Sequence, residues 1–137
     1  TGGISSATPV VLAQSIPGED ALCHTPLAPG TATGKIVACQ RGDNARVDKG
    51  FNVSQGGAAG MILYNPIAQD VETDNHWLPA IHVDGPSAPL LNFVNTHTNV
   101  MATWDQGEPF GHIVVSASPI PLGVGSANSR GTAEATA

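Results

Sequence analysis

Charge is scarce in this sequence. Asp, Glu, Lys and Arg make up 12% of its 137 residues, against roughly 25% in a typical soluble domain. The five cations never cluster: Lys35, Arg41, Arg46 and Lys49 are spread out, and Arg130 stands alone. With a formal net charge of −6, the chain offers no basic face to a phosphate backbone, which argues against nucleic acid as a partner. No apolar run approaches the roughly 20 residues of a spanning helix, so the sequence predicts no membrane segment. The first residues, "TGGISSATPVV", lack the basic n-region of a signal peptide. The reading is therefore of a segment from a longer precursor, with its targeting signal elsewhere. Cysteine is nearly absent too. Two are present, with no CxxC and no Cys/His quartet, which argues against a structural zinc.

What is present suits one folded domain. Hydrophobic residues reach 41%, enough to build a sizeable core at this length without metal or many disulfides. Surface polarity has to come from Ser, Thr, Asn, Gln and Gly, a composition common outside the cell. Cys23 and Cys39 enclose 15 residues. A disulfide there would stabilise by about 3 kcal/mol in the chain-entropy model. Two buried thiols are the alternative, and the secreted-type composition favours the bond.

The order of elements reads as mixed α/β. "TPVVLAQS" (Thr8–Ser15) is rich in β-branched residues and predicts a strand. Ile16–Gly34 holds prolines and glycines and reads as loop. "KIVACQR" (Lys35–Arg41) suits a buried strand. A helix is expected over Asn44–Gln55, capped by Asp43 or Asn44, with an apolar side of Val47, Phe51, Val53 and Ser54 and a stop at Gly56 and Gly57. "AAGMILYN" (Ala58–Asn65) and "LPAIHVD" (Leu78–Asp84) predict strands separated by an acidic, mobile-looking loop. Gly85–Thr96 reads as a short helix with Ser87 as its cap and Pro89 in its first turn. Thr98–Asp105 and His112–Ser118 predict two more strands, and the tail from Pro119 an extended or disordered end. No fixed-period repeat occurs.

Strand, glycine turn, helix and strand from Gly34 to Asn65 raise the question of nucleotide binding. The turn after Arg41 holds one glycine, Gly42, where G-x-G-x-x-G is needed, and Asp43 at the helix start would repel a pyrophosphate. "GTATGK" (Gly30–Lys35) is one residue short of a P-loop, has Ile36 where Ser or Thr belongs, and precedes a strand. "NVSQG" is not a nucleophile elbow, and no HExxH joins any of the five histidines, His24, His76, His82, His97 and His112. Asp70, Glu72 and Asp74 alternate as in a calcium loop, but Asn75 and Ile81 fall at the positions requiring Gly and Glu. A solvated acidic loop is the expected reading. "NVS" (Asn52–Ser54) forms a glycosylation sequon within the predicted helix, a poor place for an acceptor. No catalytic residue, metal ligand or cofactor-binding residue is assigned.

"GKIVACQRG", a helix carrying Lys49 and Asn52, then "GGAAGMILYN", and later "LPAIHVDGPSAPLLNFV" together resemble the protease-associated (PA) domain family over roughly Thr8 to Ser118. The resemblance implies a barrel-like β sandwich flanked by two short helices, with residues 1–118 as the domain and 119–137 as an extended segment or linker. It also implies the pairing of Cys23 with Cys39, and structural or surface roles for Arg41 and Lys49. Relatives of the sorting-receptor and ubiquitin-ligase branches carry a second cysteine and a phenylalanine where Asn44, Ala45 and Arg46 stand here. The likeness is thus to PA domains inserted in secreted subtilisin-like serine proteases. It implies a non-catalytic, extracellular accessory module without cofactor. Its partners would be the catalytic domain of the parent peptidase and a protein or peptide substrate, with dimerisation left open. A PA module of a zinc aminopeptidase, or a small independent ligand-binding protein or hydrolase, is the alternative.

Overall fold

The structure is a computed structural model and describes residues 2–72, 74–84 and 87–106. Five strands and two α-helices are present among them: β1 (Ile4–Leu12), β2 (Ile36–Gln40), α1 (Arg46–Gln55), β3 (Gly60–Tyr64), β4 (Ala80–Val83), α2 (Ala88–Thr96) and β5 (Met101–Trp104). The strands form one sheet in the order β4-β3-β2-β1-β5. The first four run parallel, and β5 is antiparallel to β1.

Alternation along the central strands sorts the core onto two faces. Val37, Cys39, Met61 and Leu63 point to the side covered by Val53 of α1 and by Ala13, Ile16, Leu27 and Ala32 of the connecting loop. Ile36, Ala38, Ile62 and Tyr64 point to the other side, with Ile4, Val10 and Leu12, against Leu90, Leu91 and Val94 of α2 and against Trp104. Both faces of β2 and β3 are therefore buried, which explains their near-continuous apolar sequences. The sheet curls into a half-barrel. Gly60, at the start of β3, lies under Ile4 and Trp104, and a Cβ placed there would come within 2.5 Å of Ile4 Cδ1 and 3.0 Å of the Trp104 ring.

The expected mixed α/β class holds, with several local corrections. The described residues form a single curled sheet rather than a sandwich, and the strand expected over His112–Ser118 lies outside them, as does the boundary at residue 118. β1 begins at Ile4 rather than Thr8, where its antiparallel partner β5 supplies hydrogen bonds. It ends at Leu12, and Ala13–Ser15 turns as a 3-10 helix whose Ser15 hydroxyl donates to Leu12 O at 2.6 Å. α1 is preceded by Ala45, with no side-chain cap from Asp43 or Asn44. It ends at Gly56, and Gly57 takes φ 83°, a left-handed conformation open to glycine, donating its N–H to Ser54 O. Ser87 precedes α2 as expected but makes no side-chain cap bond.

Candidate functional site

The parallel arrangement brings the carboxyl ends of β2, β3 and β4 to one edge of the sheet, beside the start of α1. In open α/β sheets this edge is where ligands are met. Here it carries Arg41 after β2, Asn65 after β3, Arg46 at the first turn of α1, and His82 on β4. The loop between β3 and β4 crosses it, and two arginines hold that loop. Arg41 Nη1 donates to Asp70 O at 2.5 Å, and Arg41 Nη2 to Glu72 Oε1 at 3.1 Å. Arg46 meets Asp74 with two nitrogens, Nε to Oδ2 at 2.5 Å and Nη2 to Oδ1 at 3.1 Å, and its Nη2 also reaches Glu72 Oε2 at 2.6 Å. The hydrogen bond from Arg46 holds the Asp74 carboxyl below the usual carboxylate range.

The expected acidic loop is thus anchored rather than mobile-looking, while Asp70 and Glu72 stay exposed to solvent as expected. Of the three acids that mimic the start of a calcium loop, Glu72 and Asp74 pair their carboxylates with Arg41 and Arg46, and Asp70 is held through its backbone carbonyl. Beneath them Asn65, fully buried, ties the edge together. Its amide donates to Gln69 O at 2.9 Å and to Asp84 Oδ1 at 3.3 Å, and its Oδ1 accepts from His82 Nε2 at 2.7 Å. His82 Nδ1 in turn accepts the Glu72 N–H at 3.2 Å, an arrangement that suits neutral imidazole. Burial lowers the pKa of His82 and of His76. His76 packs its Nδ1, buried and unpaired, over Gly50. Next to it Trp77, 71% exposed, meets Phe51 edge-on with ring centroids 5.7 Å apart. Phe51 therefore faces outward with Trp77 instead of joining the core as expected.

A second constellation lies on the other side of α1. Cys23 and Cys39 are joined by a disulfide with Cα atoms 5.8 Å apart, and both residues are fully buried. Lys49 reaches into the same region from α1 and is fully buried. Its Nζ donates to Leu22 O at 2.7 Å, to Gly42 O at 2.9 Å and to Asn44 Oδ1. Burial brings its pKa down to about 8, partly offset by Asp20, Asp43 and Asp48. Of the structural or surface roles expected for Lys49, the structural one applies. Asn52, also buried, donates to Cys23 O at 2.9 Å. The sequon asparagine thus points inward, and no glycan can be built on it without extracting it. The buried face of α1 is Lys49, Gly50, Asn52 and Val53; of the expected Val47, Phe51, Val53 and Ser54, only Val53 belongs to it.

Several hydroxyls are committed to backbone carbonyls as well. Ser54 Oγ donates to Phe51 O at 2.6 Å, and Thr96 Oγ1, the one described hydroxyl that meets an imidazole, donates to Asn92 O at 2.6 Å. The neighbouring His97 Nδ1 is 2.9 Å from Phe93 O, a bond in which the nitrogen must donate. That occupies the nitrogen facing the hydroxyl and leaves it no lone pair with which to act as a base.

Sequence reasoning pointed to Cys23, Cys39, Lys49 and Asn52, and the structure brings these four together. It missed the arginine clamps, the Asn65–His82 pair and the Phe51–Trp77 contact. Their partners lie on loops far apart in sequence, and only the alternation of Asp70, Glu72 and Asp74 hinted at them.

Fold and site together define a small α/β module whose polar residues brace loops around a curled, mostly parallel sheet. The PA domain family matches this chain over residues 7–91, and the chain belongs to that family. Its relatives include subtilisin-like protease SBT1.7 of Arabidopsis thaliana, 39% identical over 80% of this chain and 14% of the relative. Subtilisin-like protease SBT1.6 of the same plant is 33% identical over 77% of this chain and 14% of the relative. Subtilisin-like protease SBT5.4 is 50% identical over 42% of this chain and 8% of the relative. The chain spans about a seventh or less of the length of these relatives.

Proposed function

We propose that this chain is a non-catalytic accessory module of a secreted subtilisin-like serine protease, and that it governs which substrates reach the active site or holds a protein partner. The observation that carries this reading is the match over four-fifths of the chain to a protease in which the matched part is a small fraction of the whole. The side chains support it. Among the described residues, His82, His97, Ser54, Thr96 and the buried Lys49 are bonded into the scaffold, so these groups are engaged rather than poised as a nucleophile–base pair. The disulfide and the sparse charge support an extracellular location. The partners on this reading are the catalytic domain of the parent chain and a protein or peptide substrate. The domain on this reading spans residues 1–118, with 119–137 as a connecting segment.

Deleting the module from the parent protease tests the proposal. An accessory module changes catalysis by admitting substrates or holding their distal parts. Turnover of a short chromogenic peptide should stay within about tenfold, roughly 1.4 kcal/mol of barrier, while cleavage of long or folded proteins changes more. A folded deletion variant that loses short-peptide turnover altogether, or peptide cleavage by this chain alone, would refute it.

A further inference from the structure

His24 sits between two carboxylates. Its Nδ1 is 2.7 Å from Asp20 Oδ2 and its Nε2 is 2.9 Å from Asp43 Oδ2. Neutral imidazole carries one N–H, so in either tautomer one ring lone pair would face a carboxylate. Only the imidazolium, with two donors, satisfies both contacts. We propose that Asp20, His24 and Asp43 form a proton-operated clasp, which fastens the loop at residues 19–25 to the turn between β2 and α1 while His24 is charged and releases it when His24 is neutral.

The surroundings make the clasp sensitive. All three side chains reach solvent, at 31% for His24, 53% for Asp20 and 78% for Asp43, so protons exchange freely. Cys23 and Asp43, one on each half of the clasp, hold left-handed backbone with φ 52° and 60°, a conformation that non-glycine residues keep only when neighbours enforce it. The other charged groups that bear on this region are Glu19, which accepts the Asp20 N–H and the Thr25 hydroxyl, and the Lys49 ammonium, held on Leu22 O and Gly42 O and drawn on by Asp20, Asp43 and Asp48. Asp20 Oδ1 also accepts the Leu22 N–H at 2.8 Å. The disulfide already binds Cys23 to β2, so what the clasp adds is restraint on the turn carrying Asp43. That turn lies between Arg41 and Arg46, the two residues that hold the 70–74 loop.

The sign follows from the pairings. Hydrogen bonding to Asp20 raises the pKa of His24 above 6.5 and the same bond lowers that of Asp20 below 3.8. The clasp is therefore complete below the ordinary histidine pKa, opens as pH rises through the raised value, and is also lost in strong acid as Asp20 protonates. The module is braced in mildly acidic medium and loosened in alkaline medium.

Hydrogen-exchange mass spectrometry on the intact chain, corrected for intrinsic exchange rates, tests this. Protection in residues 19–25 and 41–45 should fall roughly two- to fivefold between about pH 5.5 and 8.5, the range expected for exposed ion pairs. The variant His24→Gln should already be low at about pH 5.5 and should fall less than the wild type. Because Lys49 is unchanged in that variant, any fall it retains belongs to Lys49. No fall in the wild type, or an equal fall in His24→Gln, overturns the proposal. Should His24→Gln not fold, Asp43→Asn serves instead, since it leaves the imidazole one carboxylate. Its fall must be smaller and its midpoint lower than in the wild type, and equality with the wild type overturns the proposal.

Discussion

Asn52 Nδ2 donates to the carbonyl oxygen of Cys23 across 2.9 Å of buried space, so the one asparagine of α1 is a strut between that helix and the disulfide. The contact decides the fate of the "NVS" sequon. Passing through a eukaryotic secretory pathway, the chain should emerge with Asn52 unmodified, as intact mass with and without glycosidase treatment will reveal. Asn52→Ala removes the main donor to Cys23 O and should cost about 1–2 kcal/mol of stability by denaturant unfolding. A glycosylated Asn52, or an unchanged midpoint in the variant, would contradict the strut.

Lys49 is the heavier member of the same arrangement. Its ammonium satisfies Leu22 O, Gly42 O and Asn44 Oδ1 at once. Lys49→Met matches its length and apolar stem but leaves those oxygens without their donor. The expected loss is about 2–4 kcal/mol, since each buried acceptor left unpaired costs roughly 1–3 kcal/mol with partial relaxation. Urea unfolding at constant m-value checks it. A neutral or stabilising effect would mean that the oxygens find water or that hydrophobic replacement suffices, as it does for some buried charges.

Much of this architecture was legible from the order of residues along the chain, and the reasons are local. β2 is a short apolar run between Gly34 and Gly42, β3 is one that starts at Gly60 and stops before Asn65 and Pro66, and Gly56–Gly57 marks the end of α1 in the chain itself. The buried face of α1 was not legible. Lys49 and Asn52 count as outward-facing by polarity, yet carbonyls of Leu22 and Cys23, 27 and 29 positions upstream, draw them inward. Arg46 and Asp74 meet across 28 positions, a distance at which neither periodicity nor propensity carries information. The early start of β1 has the same origin, because its partner β5 lies nearly a hundred residues on. The family resemblance bridged part of this gap by pairing Cys23 with Cys39.

Gly60 provides a packing prediction. It sits where β3 passes under Ile4 and Trp104, and a Cβ would fall 2.5 Å from Ile4 Cδ1 and 3.0 Å from the Trp104 ring, with Pro79 O at 3.1 Å. Gly60→Ala therefore overpacks the seam that curls the sheet, and should destabilise by about 1–3 kcal/mol. Ile4→Val in the same chain removes a methyl group at the clash and should recover part of the loss. Thermal unfolding of the two single variants and the double variant measures this coupling directly. Strict additivity would show that the seam relaxes by another route.

The Arg46–Asp74 pair sets the acid limb of stability. Arg46 grips Asp74 through two nitrogens, with side chains 25% and 18% exposed, so the pair is partly shielded and bidentate. Its hydrogen bond lowers the Asp74 pKa from 3.8. A depressed carboxylate stabilises the fold fully above its unfolded pKa, and the contribution disappears as pH falls through the folded value. Asp74→Asn keeps the shape and removes the charge. Above about pH 5 the variant should be less stable by about 1 kcal/mol, at the upper end of surface pairs. The two curves should converge in strong acid, once the wild-type carboxyl is protonated as well. Because every other titrating group is common to both chains, the difference between the curves isolates Asp74. Salt should shrink that difference only modestly, since a shielded contact is screened less than an exposed one. A difference that persists undiminished into strong acid would assign the effect to lost packing of the loop, and a zero difference throughout would mean that Glu72, 2.6 Å from Arg46, holds the arginine by itself.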